Sequence, residues 1–255
     1  MQPFDKATLE ALLGEPFSVS VLPLATSTNT LLSEKAKQNE PAFSLLVAEA
    51  QNEGRGRENR HFFSPVGGAY FSLLVRPEGA FEPALLTALS AVCVCEAAEE
   101  LGAEPCGIKW VNDVYANGKK CCGILTQGVF ENGKLTSAVI GIGANLALPE
   151  GGFDAQIAAR AGAFFKEAFP EMRERFIAAV CRKLYEKLPQ GKEAFFKDYQ
   201  KRSILIGKRV EVFPLIGGEG FPATVREIDS DCHLVVTDDE QKTHVLSAGE
   251  VSLVL

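Results

Sequence analysis

The segment Gln51-Asn-Glu-Gly-Arg-Gly-Arg-Glu-Asn-Arg-His-Phe-Phe63 puts three arginines into a glycine-punctuated stretch. Glycine lets the backbone come close to a ligand, and guanidinium forks match carboxylate or phosphate oxygens two at a time. The segment therefore reads as an anion-binding loop carrying Arg55, Arg57 and Arg60. The alternatives are a solvated surface loop or an RGG-like nucleic-acid segment. Interleaved Glu53 and Glu58 argue against nucleic acid, as does a chain of net charge −7 with 26 Lys and Arg against 33 Asp and Glu.

A second segment runs from Gly107 through Lys109, Trp110, Asn112, Asp113, Tyr115 and Lys120 to Gly123. Asn117-Gly118 is the strongest short signal for a two-residue hairpin turn. That turn would pair Ala116 with Lys119 and Tyr115 with Lys120. Side-chain alternation then puts Lys109, Asp113, Tyr115 and Lys120 on one face, two ammonium groups beside a carboxylate. Trp110 and Asn112 take the other face unless a bulge at Asn112-Asp113 resets the register. An edge hairpin with solvated lysines is the bland alternative, and the small apolar run Cys121-Cys-Gly-Ile124 speaks against it. A third segment, Val139-Ile-Gly-Ile-Gly-Ala-Asn145-Leu146, is an apolar strand whose glycines allow something to pack on its backbone. It lacks the third glycine and helix of a dinucleotide fingerprint.

The three histidines, His61, His233 and His244, form no evident Ser-His-Asp or Cys-His set. Seven cysteines without a C-x-x-C pair indicate neither a disulfide framework nor a zinc cluster, and they suit a reducing cytoplasm. The N-terminus does not read as a leader, and no apolar run is long enough for a membrane span.

The elements that must position these groups follow from local signals. Strands are expected near 19–22 and over 43–48. A helix capped by Ser27 and Thr28 runs through Lys35, and another extends from Pro83 to Gly102. With a second turn at Asn132-Gly133, residues 107–146 read as a three-stranded antiparallel meander. Helical patterns return at 155–168, 171–188 and 192–200. After Ser203 alternating apolar residues suggest about five short strands and a small β-barrel. The expected division is 1–202 and 203–255.

Taken together, six ordered motifs resemble those of the biotin protein ligases. They are Ser27-Thr-Asn29; Gln51 with Gly54-Arg-Gly-Arg57; Ser64-Pro65 with Gly67-Gly68; Lys109-Trp-x-Asn-Asp113; Gly118-x-Lys120-x-x-Gly123; and Gly141-Ile-Gly-x-Asn145. The match spans about 27–146. The resemblance implies an α+β fold: a mixed β-sheet catalytic domain with packed helices, like the class II synthetases, followed by an SH3-like β-barrel. It also implies an ATP-dependent activity in which biotin becomes biotinyl-5′-AMP, pyrophosphate leaves, and biotin passes to a lysine of a biotin carboxyl carrier protein.

By the family pattern Ser27, Thr28, Asn29, Gln51, Gly54, Arg55 and Gly123 would line the biotin pocket. Lys120 would touch the biotin carboxyl and the α-phosphate. Arg57, Arg60, Phe62, Lys109, Trp110, Asn112 and Asn145 would serve ATP. Asp113 would steer the incoming lysine and any Mg2+. Lys120, Arg57 and Asp113 are the catalytic expectation.

Two residues depart from the family pattern: Asn59 stands where glycine is usual and Phe62 where tryptophan is usual. Cys121 and Cys122 read as packing residues. A lipoate ligase or octanoyltransferase of the same superfamily, or a non-enzymatic biotin-binding module, are the alternatives. No DNA-binding module is expected ahead of the first strand, and the sequence is silent on oligomeric state.

Overall fold

The computed structural model describes residues 3–57, 60–77, 82–131, 134–149, 151–153, 155–213, 219–247 and 250–253. Its larger sheet contains β1 (Ser18–Leu22), β2 (Ser44–Ala48), β3 (Ala69–Val75), β4 (Gly107–Lys109), β5 (Asp113–Ala116), β6 (Lys119–Glu131) and β7 (Lys134–Ala144). The order is β1-β2-β3-β7-β6-β5-β4. β1 is parallel to β2 and every other neighbouring pair is antiparallel, so the expected mixed sheet is present.

Side-chain alternation along these strands makes two apolar layers. Leu45, Val47, Phe71, Leu73, Ile140 and Ile142 belong to one; Leu46, Leu74 and Val139 belong to the other. The first layer is covered by α1 (Lys6–Leu13), α3 (Pro83–Glu100) and α5 (Met172–Lys187). The second is covered by α2 (Thr28–Ala36), through Leu32 and Ala36. Proline opens α3 and Gly102, at φ +95°, follows it, which is the asymmetry its sequence suggested.

Four expectations change. α1 has no counterpart in the sequence reading, although Asp5 caps it by accepting from Ala7 N at 3.0 Å and Thr8 N at 3.2 Å. The meander has four strands, because residues 110–112 turn the chain between β4 and β5. The pattern at 155–168 gives only α4 (Ala155–Ala158). After one more turn, in which Arg160 N and Ala161 N donate to Ile157 O, the backbone bonds to the sheet: Lys120 N donates to Arg160 O, Gly162 N to Lys120 O, and Phe164 N to Asn145 O. Finally, 192–200 divides into a 3-10 turn at Lys192–Ala194 and α6 (Phe196–Lys201). The Asn117-Gly118 turn forms as expected, with both residues at positive φ; Asn132-Gly133 lies outside the described residues.

The C-terminal part is a five-stranded antiparallel sheet of β8 (Arg209–Phe213), β9 (Phe221–Ile228), β10 (Leu234–Asp238), β11 (Thr243–Leu246) and β12 (Glu250–Leu253), in the order β11-β10-β9-β8-β12. Its Val210, Val212, Val225, Val236 and Val251 join the same apolar cluster as the larger sheet. All seven cysteines are free and buried, and no helix among the described residues is long and apolar enough to cross a membrane.

At the junction Ile108 N donates to Arg202 O (2.7 Å) and Ile204 N to Ile108 O (3.0 Å), so the connecting chain extends the sheet beyond β4. Arg202 grips Glu99 of α3 with two bonds of 2.5 and 2.8 Å, and Glu99 also accepts from Cys106 N. Hydrogen bonding from Arg202 holds the Glu99 carboxyl below its usual range. A depressed carboxylate pKa stabilises the fold above the unfolded value of about 4.3, and that contribution fades as pH falls through the folded value. Glu99→Gln should therefore cost on the order of 1 kcal/mol near neutral pH, partial exposure weakening the pair. Urea titrations of both proteins should show the gap narrowing as pH drops below about 4.3; a gap constant with pH would contradict this account of the junction.

Candidate active site

The site lies on the α2 face of the larger sheet, and its first wall is the start of α2. Ser27 caps the helix, its Oγ accepting from Thr30 N at 3.4 Å. Gln51 bridges this start to the arginine loop: its Oε1 accepts from Thr28 N at 2.8 Å and its Nε2 donates to Ser64 Oγ at 2.9 Å. Ser64 donates onward to Phe62 O at 3.0 Å, and Ser72 of β3 donates to Thr28 Oγ1 at 2.9 Å. Asn29 donates to Leu125 O at 2.8 Å. Its Oδ1 is buried with no partner among the described residues, and Asn29 lines the cleft.

The floor is a row of cross-strand neighbours. Tyr70 pairs with Gly143, Gly143 with Gly123, Gly123 with Asp113, and Asp113 with Lys109, so these five residues share one face across five strands. Its two central members carry no side chain, and Phe62 uses the space. A Cβ on Gly143 would meet the Phe62 ring at 2.4 Å, and one on Gly123 at 3.2 Å. The loop reaches this position by folding back on itself, with Gly56 N donating to Arg60 O at 2.7 Å and Phe62 N to Gly54 O at 2.8 Å.

Lys120 opposes Tyr115 and so shares the face of Asp113, and a register shift brings the glycine floor to the same side. Tyr115 pairs with Lys120, but Val114 already pairs with Cys122, so Cys121 is the extra residue of a bulge. Without it Lys120 and Gly123, an odd number of residues apart, would face opposite sides. With it both face the cleft, where Lys120 Nζ lies 2.7 Å from Asp113 Oδ1. The expectation that Lys109, Asp113 and Lys120 enter one cleft holds, while the bulge sits at Cys121 instead of at Asn112-Asp113.

Trp110 and Asn112 are also corrected. They line this same cleft, because 110–112 is a turn and strand alternation does not apply there. Asn112 Oδ1 accepts from Arg57 Nη1 at 3.3 Å, and its Nδ2 donates to Ile124 O at 3.0 Å. Trp110 is buried, and its Nε1 donates at 2.8 Å to Cys232 O, in the turn between β9 and β10. Tyr115 pairs in register but lines a separate recess beside Arg202.

Arg55, Arg57, Arg60, Lys109 and Lys120 thus line one cleft, in which Asp113 is the single carboxylate among the described residues. Gly54 stands behind the wall, where a Cβ would meet Phe62 O at 2.4 Å. Asn145 lines a second recess, separated from the first by Phe62 and Lys120, and its Nδ2 donates to Gly162 O at 3.1 Å. Asn59 lies outside the described residues. His61 is exposed, with Nε2 3.4 Å from Asn52 O. Burial pushes the Cys121 thiol up to about 12 and the Cys122 thiol well above its ordinary range, so both are packing groups and not nucleophiles. Sequence reading missed Val251, which lines the cleft, and Ser72 and Tyr70, which support it through Thr28 and Gly143; no local pattern marks them, because only the fold brings these contacts together.

A cleft lined by buried polar groups and five cations, one of them Lys120 paired with the carboxylate of Asp113, suits the joining of two anionic reactants. The family profile described as the Biotin/lipoate A/B protein ligase family matches residues 21–145. The biotin–[acetyl-CoA-carboxylase] ligase of Mycobacterium tuberculosis is 31% identical over 270 aligned positions, which cover 98% of this chain and 95% of that protein. The chain belongs to the biotin protein ligases. Among them, the bifunctional ligase/repressor BirA of Bacillus subtilis is 41% identical over 123 residues, covering 48% of this chain and 38% of BirA. The chain thus spans well under half of that longer relative. The biotin protein ligase of Aquifex aeolicus, solved in complex with biotin and ATP, superposes with a TM-score of 0.76 at 26% identity, covering 92% of this chain and 98% of the other.

The glycine floor is directly testable. Gly143→Ala should displace the Phe62 ring and cost about 1–3 kcal/mol, the usual scale of overpacking. Adding Phe62→Ala should remove most of that penalty, read as non-additivity in urea denaturation. Strictly additive losses would mean that the two residues do not meet.

Proposed function

We propose that this chain is an ATP-dependent biotin protein ligase that makes biotinyl-5′-AMP and transfers biotin to one lysine of a biotin carboxyl carrier domain. The observation that carries the proposal is Lys120 beside Asp113 in a cleft lined also by Ser27, Thr28, Asn29 and three arginines. In this reading Ser27, Thr28, Asn29, Gln51, Arg55 and Gly123 hold biotin, with Gly54 supporting the wall. Asn29 Oδ1 is suited to accept from a ureido N–H. Arg57, Arg60, Phe62, Lys109, Trp110, Asn112 and Asn145 serve ATP.

The biotin carboxylate attacks the α-phosphorus, the bond to the β-phosphate oxygen breaks, and pyrophosphate leaves. Both reactants are anions, so cations fixed before the reaction lower the barrier by holding the charge that builds on the phosphoryl oxygens. Lys120 is placed to touch both the carboxyl and the α-phosphate. In the second step the carrier's lysine amine attacks the acyl carbon and AMP departs. Asp113 is placed to orient that ammonium and to take its proton.

The donor set suits Mg2+ brought in with ATP, because one carboxylate together with phosphate oxygens is a usual surrounding for that ion. The ion would offset phosphate charge. The loop bearing Arg55 to Phe62 would close over the adenylate and keep water from the mixed anhydride.

The same proposal assigns 1–202 to catalysis and 203–255 to an SH3-like barrel, with the acetyl-CoA carboxylase carrier subunit as partner and the cytoplasm as the compartment. The net charge of −7 favours no role in nucleic-acid binding.

Incubation with radiolabelled biotin, ATP, Mg2+ and an apo-carrier domain should label the carrier only when ATP is present. Lys120→Ala should lower adenylate formation by about 10²–10³-fold, the usual loss when a transition-state charge donor is removed. A carrier left unlabelled by wild type, or labelled from lipoate instead, would refute the assignment.

A further inference from the structure

The turn at 110–112 supplies two of the cleft's lining residues, and each of its residues is tied to a different element. Trp110 Nε1 donates at 2.8 Å to Cys232 O in the turn between β9 and β10. Ile124 N of β6 donates to Asn112 O at 3.0 Å. Between them, the Val111 carbonyl accepts from Tyr199 Oη at 3.0 Å, a bond buried at both ends.

Tyr199 comes from α6, and its side chain is fully buried. The helix that carries it is itself braced: Gln200 Nε2 donates to Ile228 O of the C-terminal sheet at 2.7 Å, and Arg202 at its end grips Glu99. Burial pushes the Tyr199 phenol well above its ordinary range, so the hydroxyl remains a protonated donor throughout working pH. Tyr199 is distant from the cleft motifs in sequence and does not line the cleft.

We propose that Tyr199 is a positioning residue for the nucleotide half of the cleft, setting the 110–112 turn through the Val111 carbonyl. The inference rests on the ligase reading above. If the hydroxyl is removed, a buried carbonyl loses its donor and the turn must shift to find another. Such a shift moves Trp110 and Asn112, and with Asn112 the Oδ1 that receives Arg57. The biotin end is held separately, through Gln51 to Ser64, Thr28 to Ser72, and Asn29 to Leu125. The effect should therefore fall on ATP and spare biotin.

The test is biotin-dependent ATP–pyrophosphate exchange by the full chain carrying Tyr199→Phe, which keeps the ring and deletes one oxygen. The expected result is a roughly tenfold rise in KM for ATP, or an equal fall in kcat, with KM for biotin within about twofold of wild type. Thr87→Val serves as the structural control. It removes another part-buried hydroxyl, which bonds Pro83 O and Thr126 Oγ1 in α3 and β6, and it should lower Tm while leaving both KM values unchanged.

Hydrogen exchange should quicken over 109–113 in Tyr199→Phe and stay at the wild-type rate over 27–31. A Tyr199→Phe enzyme that loses only Tm, or whose two KM values rise together, overturns the inference. Absence of exchange activity in wild type would instead overturn the ligase reading, so the two failures are distinguishable.

Discussion

The site depends on one surplus residue in β6. Strand geometry assigns faces strictly by parity, and Lys120 and Gly123 are of opposite parity. The shift at Cys121 is what lets an ammonium group and a glycine floor face the same space; Lys120 opposes Tyr115 and so already shares the face of Asp113, two residues away. Cys121 itself carries none of the chemistry. Its small side chain is buried, its carbonyl accepts from Asn145 N, and its contribution is to occupy the place of an extra residue.

From that constraint the remaining arrangement can be followed outward. The glycines at 123 and 143 leave the middle of the sheet bare, so an aromatic ring can lie directly on the backbone. The ring belongs to the loop that also carries the arginines, so packing of Phe62 and placement of positive charge are one event. A protein of net charge −7 thereby concentrates five cations around a single carboxylate. Exposed charges at that density would be screened and would mostly repel, whereas a partly enclosed cleft keeps their field directed inward.

Much of this was legible in the residues. The arginine loop, the Asn117-Gly118 turn, the cap at Ser27, the proline that opens α3 and the shared face of Lys109, Asp113 and Lys120 are short-range signals, set by backbone chemistry over a few positions. What was not legible depends on distant partners. A bulge at Asn112-Asp113 is the one device the sequence offers for turning Trp110 and Asn112 to the lysine face; a turn at 110–112 does this instead. Residues 159–168 have helical composition, yet the sheet edge at Lys120 and Asn145 offers their backbone better partners. α1 was overlooked because it is short, and it is secured by the bond from Asp5 N to Glu174 and by Arg173 stacked on Phe4. Those contacts span about two thirds of the chain.

Trp110 is the single tryptophan of the chain. It lines the cleft, is almost wholly buried, and gives its N–H to a carbonyl in a turn of the second sheet's part of the chain. Intrinsic emission excited at the red edge of protein absorption therefore arises from one indole, at the point where cleft, turn and second sheet meet. Filling of the cleft and separation of the two sheets would each be reported by that same fluorophore, without a label: the first with the indole still enclosed, the second with a red shift as water reaches it.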